Sequence, residues 1–97
     1  MKIDEYKKLL LEHKFFEAHE VLEEFWFPRR REKTKEVLIV KGFINAAVAL
    51  ELKKRGRVEN SRKIWKVYQK FCKLIPNNDT KFIELKNFVD SFAKEYL

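Results

Sequence analysis

VLIVKGFINAAVALEL, Val37 to Leu52, decides the architecture. With side chains placed about 100° apart around a helix, this stretch is apolar on nearly every side, broken only by Lys41, Gly42, Asn45 and Glu51. A helix of that kind is central, with neighbours on several faces. Gly42, Ala46 and Ala49 recur at helical spacing and form a strip of small residues. Glycine costs roughly 1 kcal/mol of helix propensity relative to alanine, so a close approach by another helix is expected at Gly42.

Four further helices read outward from this one. The first spans about Asp4 to His13 and puts Ile3, Tyr6, Leu10 and His13 on one side. The second, about Phe16 to Phe27, ends at Pro28, because proline disfavours the helical conformation in the residue before it. Pro28 to Lys35, PRRREKTK, has no apolar periodicity and reads as a charged loop. Beyond the central helix, Lys53, Lys54 and Arg55 followed by Gly56 make a helix C-terminus, with cations at the negative end of the dipole. The fourth helix, about Val58 to Ile75, gathers Ser61, Ile64, Trp65, Tyr68, Phe71, Cys72 and Ile75 on one face and stops at Pro76. Asn78 or Asp79 caps a fifth, whose Phe82, Leu85, Phe88, Val89, Phe92 and Tyr96 form the last apolar stripe. There are no convincing strands, and the short connections favour antiparallel helical hairpins. The expected fold is a single all-α domain over residues 1–97, with the second and third helices face to face and the fifth closing the core.

Composition narrows the class. At 45% hydrophobic and 38% charged residues, with two Gly and two Pro, the chain suits a helical protein and not a disordered or many-turned one. A lone cysteine, Cys72, forms neither an internal disulfide nor a multi-thiolate metal site, and its apolar neighbours point to an inert core thiol in a reducing compartment. MKIDEYKK lacks the apolar run of a secretory signal, and no stretch reaches the ~18 apolar residues of a membrane span. A soluble cytoplasmic protein is expected. The net charge of +7 comes mostly from lysine, 16 against 6 arginines, spread along the whole chain as a solubility feature would be.

Chemistry concentrates in FFEAHEVLEEFW, Phe15 to Trp26. A helical projection puts His19 beside Trp26 in the apolar arc and Glu23 at its edge, one turn after His19. Glu17 and Glu24 face water, and Glu20 is intermediate. Glu23 is placed to fix the imidazole tautomer of His19, leaving the other ring nitrogen as base, acid or ligand. The competing reading is a partly buried histidine with both nitrogens satisfied, one by Glu23 and one by a facing helix, where Asn45 is the obvious partner. His19, Glu20, Glu23, Trp26 and Asn45 are therefore the candidate polar cluster.

Several chemistries fail on spacing. A zincin needs H-E-x-x-H, but HEVLE ends in Glu23. Di-iron bundles use Glu-x-x-His, and neither Phe16 nor Leu10 supplies the carboxylate before His19 or His13. Without a strand there is no Gly-rich phosphate loop. No metal or cofactor is implied by these motifs; a mononuclear site from His13, His19 and Glu20 or Glu23 is geometrically open, but its spacing is not diagnostic. Arg62, Lys63, Lys66, Lys70 and Lys73 form a basic face on the fourth helix that suits a phosphate backbone, with no base-reading signature beside it.

FFEAHEVLEEFW, then KGFINAAVAL and a basic turn, resembles the small all-helical proteins grouped as domain of unknown function 309. The likeness runs from Phe15 to about Trp65 and centres on Ala18, His19 and Glu20 with Glu23 and Trp26. It implies packed helical hairpins and no established biochemical activity. By that resemblance His19, Glu20, Glu23, Trp26 and Gly42 match the family's motif positions. Asn45 stands where members commonly carry glutamine, and Asn60-Ser61 replaces a Gly-Ala-like pair.

The leading functional expectation is a non-enzymatic binding or scaffold module for a small ligand or protein, acting through the cluster at His19. The alternatives are acid-base or metal-assisted chemistry in that cluster, and a weak nucleic-acid or acidic-protein binder using the fourth helix. An apolar strip left uncovered on the first or fifth helix would serve homodimerisation.

Overall fold

The periodicities resolve into five α-helices in a computed structural model that describes residues 1–96: α1 Ile3–Leu11, α2 Phe15–Trp26, α3 Lys35–Lys54, α4 Val58–Cys72 and α5 Thr80–Tyr96. Among the described residues there is no strand, and no helix is long and apolar enough to cross a membrane. The fold is all-α, as expected. α3 is its hub, packed most extensively on α4 and next on α2, while α1 lies along α2 and α5 rests on α1 and α3.

The low amphipathicity of α3 follows from that position. Val40, Phe43, Ile44, Ala46, Ala47, Ala49 and Leu50 are all buried, on several sides of one helix. Tyr6, Leu10, Phe15, Ala18 and Leu22 reach them from α1 and α2, and Phe82, Leu85, Val89 and Ala93 close the core from α5. Each large apolar side chain so buried stabilises the fold by about 1.5–3 kcal/mol. Gly42 has the packing reason its sequence predicts: a Cβ there would lie 2.7 Å from Phe71 Cβ on α4.

Polar ties cross the core without leaving buried side-chain groups unsatisfied among the described residues. The Tyr6 hydroxyl donates to the Phe43 carbonyl at 2.7 Å, and the Ser61 hydroxyl to the Ala49 carbonyl at 2.7 Å. Ser61, which periodicity places on the inward face of the fourth helix, thus pins α4 to α3.

The helix ends differ from their sequence-based bounds in instructive ways. α1 stops at Leu11, because His13 takes the left-handed conformation at φ +59°. Its N–H reaches the Leu10 carbonyl and that of Lys14 the Leu9 carbonyl, the paired closure usually built on glycine. Gly56 at φ +80° makes the same closure after α3. His13 therefore leaves the face assigned to it with Ile3 and Leu10. Its ring stacks on Phe15 and meets the edges of Phe92 and Tyr96, which ties the α1–α2 turn to α5.

Pro28 redirects α2 without breaking helical geometry. Phe27 keeps helical angles (φ −58°, ψ −48°), and Pro28 enters a 3-10 turn, Phe27–Arg29, where its missing N–H costs nothing. The expected loop is thus partly helical. α3 starts at Lys35, capped by the Thr34 hydroxyl, which accepts from Val37 N–H at 3.3 Å. α4 ends three residues before Ile75, in tight turns leading to Pro76, and the Asp79 carboxylate caps α5 by accepting from Phe82 N–H at 3.2 Å.

Candidate functional site

α2 presents its polar cluster at the surface. Phe15, Ala18, Val21 and Leu22 go into the core, which rotates His19 and Glu23 to the rim, with side chains 18% and 37% exposed. Glu23 Oε1 accepts from His19 Nε2 at 2.7 Å, the one-turn contact the spacing predicts. The second expected partner is replaced. Nδ1 of His19 bonds the Phe16 carbonyl at 2.8 Å, one turn earlier in the same helix, and not Asn45. Neither nitrogen is left free.

The other members disperse. Glu20 is exposed. Trp26 is half-buried beneath Lys41, whose ammonium lies 4.3 Å from the ring centroid, a cation–π contact. Asn45 is half-buried one turn beyond Lys41 on α3. Among the described residues, the principal surface recesses are lined by none of these five. What adjoins His19 is an exposed aromatic ring, Phe16, at 5.1 Å between centroids. Phe16 is 49% exposed and Phe27 is 56% exposed. With Glu20 and Glu23 they form one outward stripe along α2, because residues 16, 20, 23 and 27 share a helical face.

Arg62, Lys63, Lys66, Lys70 and Lys73 are all exposed on α4, as their periodicity predicts. Among the described residues no group of three or more His, Cys, Asp or Glu side chains converges in a way that would hold a metal ion.

Sequence reasoning misses the recess between α4 and α5, about 570 Å³ and lined by Trp65, Tyr68, Gln69, Cys72, Lys73, Lys86, Asp90, Ala93 and Lys94. Within it, Asp90 accepts from the Tyr68 hydroxyl and from Lys86 Nζ, each at 2.8 Å on a different oxygen. Burial first, then neighbouring Cys72 and the bond to Asp90, push the Tyr68 phenol far up; Lys86 is raised chiefly by its bond to Asp90. Burial pushes the Cys72 thiol up, outweighing Tyr68 and Lys86, so it rests as a neutral thiol. One available signal was Lys86 and Asp90 one turn apart on α5, but which helix they face depends on tertiary packing.

A family model described as "Domain of unknown function (DUF309)" matches residues 3–64. The chain belongs to this family. The matched segment holds the α2 cluster, Gly42 and Ser61, whereas every residue lining the α4–α5 recess lies beyond it. No curated protein and no solved structure matches the chain.

Proposed function

We propose that this member of the family is a non-enzymatic binding module that docks a basic amphipathic segment of a partner protein on the outward stripe of α2. The exposure of Phe16 and Phe27 on either side of Glu20 and Glu23 carries this reading. The rings lie eleven positions apart, about 16 Å along the helix, a spacing that two apolar anchors of a partner helix can match. Aromatic anchors of this kind dominate interface energetics.

Charge selects the partner. α2 holds four glutamates and no lysine or arginine, inside a chain of net charge +7. Arg30 already packs its guanidinium 4.0 Å from the Phe27 ring centroid, a local example of how a cation meets this surface. His19 supports the stripe by holding Glu23 in place. General acid-base work at this cluster needs a ring nitrogen facing an open cavity, and both nitrogens of His19 are engaged by α2 itself.

The test is a synthetic amphipathic helix with lysines and arginines on one face and two leucines eleven residues apart, titrated by fluorescence anisotropy. Phe16→Ser and Phe27→Ser should each weaken binding by about tenfold or more, a loss typical of an anchor residue. Their melting temperatures should stay close to that of the parent, because both rings are exposed. Equal affinity of the variants overturns the reading. So does a homodimer that Phe16→Ser dissociates, since the occupant would then be a second copy of this chain.

A further inference from the structure

The α4–α5 recess uses elements that the α2 stripe does not, and its chemistry differs. Trp65 and Tyr68 supply aromatic surface, 4.6 Å apart between centroids, and Ala93 continues the wall from α5. At about 570 Å³ the recess falls within the size range of small-molecule sites. Asp90, the one carboxylate lining it among the described residues, has both oxygens engaged by Tyr68 and Lys86. Lys73 and Lys94 line it as well, and neither meets a carboxylate at ion-pair distance among the described residues. The lining therefore carries an excess of positive charge beside an aromatic wall.

We propose that this recess binds a small planar aromatic molecule carrying one carboxylate or phosphate group, with its ring on Trp65 and its anion drawn by Lys73 and Lys94. An aromatic face supplies affinity for a flat ring, and lysines act as point charges for either anion. The polar floor is already satisfied, since Tyr68 and Lys86 are committed to Asp90, so specificity rests on Trp65 and the rim cations.

Trp26→Phe leaves Trp65 as the only tryptophan, so its fluorescence reports occupancy. Adenosine 5′-monophosphate and 1-naphthoate are titrated separately at low salt; the tighter of the two tells whether phosphate or carboxylate is preferred. The expected result is saturable quenching by at least one probe with Kd below about 1 mM. Lys73→Glu and Lys94→Glu should each weaken that probe by about tenfold. Lys33→Glu, a charge reversal in the loop before α3, should leave binding unchanged. No saturation by either probe overturns the proposal, as does equal affinity of the Lys73, Lys94 and Lys33 variants. Sedimentation velocity should show a monomer; a dimer that Trp65→Glu dissociates would mean that a second copy fills the recess, and also overturns it.

Discussion

Gly42→Ala sets two effects of known size against each other. In an isolated helix the change would stabilise by about 1 kcal/mol. Here the new methyl lies 2.7 Å from Phe71 Cβ, whereas carbon atoms pack comfortably at about 3.5–4.0 Å. Cβ is fixed to the backbone and cannot rotate aside, so α3 and α4 must separate by about 1 Å along the largest helix contact in the molecule. Overpacking of this kind costs about 1–3 kcal/mol, and a rigid obstacle belongs toward the upper end. The net expectation is a loss of about 1–2 kcal/mol, a fall in Tm of about 4–8 °C per kcal/mol for a domain of this size. Thermal and urea unfolding followed by circular dichroism measure it. Phe71→Ala keeps the obstructing Cβ, so Gly42→Ala should be nearly as destabilising in that background. A raised Tm for Gly42→Ala would refute the close-approach argument, and full rescue by Phe71→Ala would assign the clash to the ring instead.

His19→Gln removes a one-turn pair with Glu23 and a bond to the Phe16 carbonyl, both near the surface, so it should cost less than about 1 kcal/mol in urea unfolding; a larger loss would make His19 a structural histidine. Ser61→Ala deletes the buried bond to the Ala49 carbonyl and should cost about 1 kcal/mol, with an unchanged Tm counting against that tie. Burial first, with Cys72 second, raises Tyr6 and Tyr68 well above the ordinary value of 10.0. Above pH ~10 the unfolded chain loses these protons while the folded protein keeps them, so stability present below that pH falls as pH rises, by about 1.4 kcal/mol per pH unit for each tyrosine. Urea midpoints across this range should drop accordingly, and Tyr6→Phe should make the slope shallower; an unaltered slope would contradict the burial argument for Tyr6.

Much of this fold is legible because its signals are local. The all-round apolarity of Val37 to Leu52 specifies a central helix, and Gly42 announces a close helix approach by its position there, while only the structure shows that the helix is α4. The same periodicity turns His19 and Glu23 to one side of α2 and places them in contact. What escapes is what depends on competition or on tertiary contact. Asn45 looks like a partner for His19, but the Phe16 carbonyl, one turn away in the same helix, takes that nitrogen first. His13 fits an amphipathic pattern until the chain must turn, and its aromatic contacts with Phe15, Phe92 and Tyr96 accompany a left-handed conformation that no periodicity encodes. The α4–α5 recess is invisible for the same reason, since it exists only where two consecutive helices, each packed on other parts of the core, fail to close on each other.

The most direct test of the functional account is to map where the basic amphipathic peptide lands. Two-dimensional amide NMR of the labelled protein, titrated with that peptide, should shift Phe16, His19, Glu20, Glu23 and Phe27 together while α4 and α5 stay unperturbed. Shifts confined to Trp65, Cys72 and Lys86, or none at saturating peptide, would contradict a docking surface on α2.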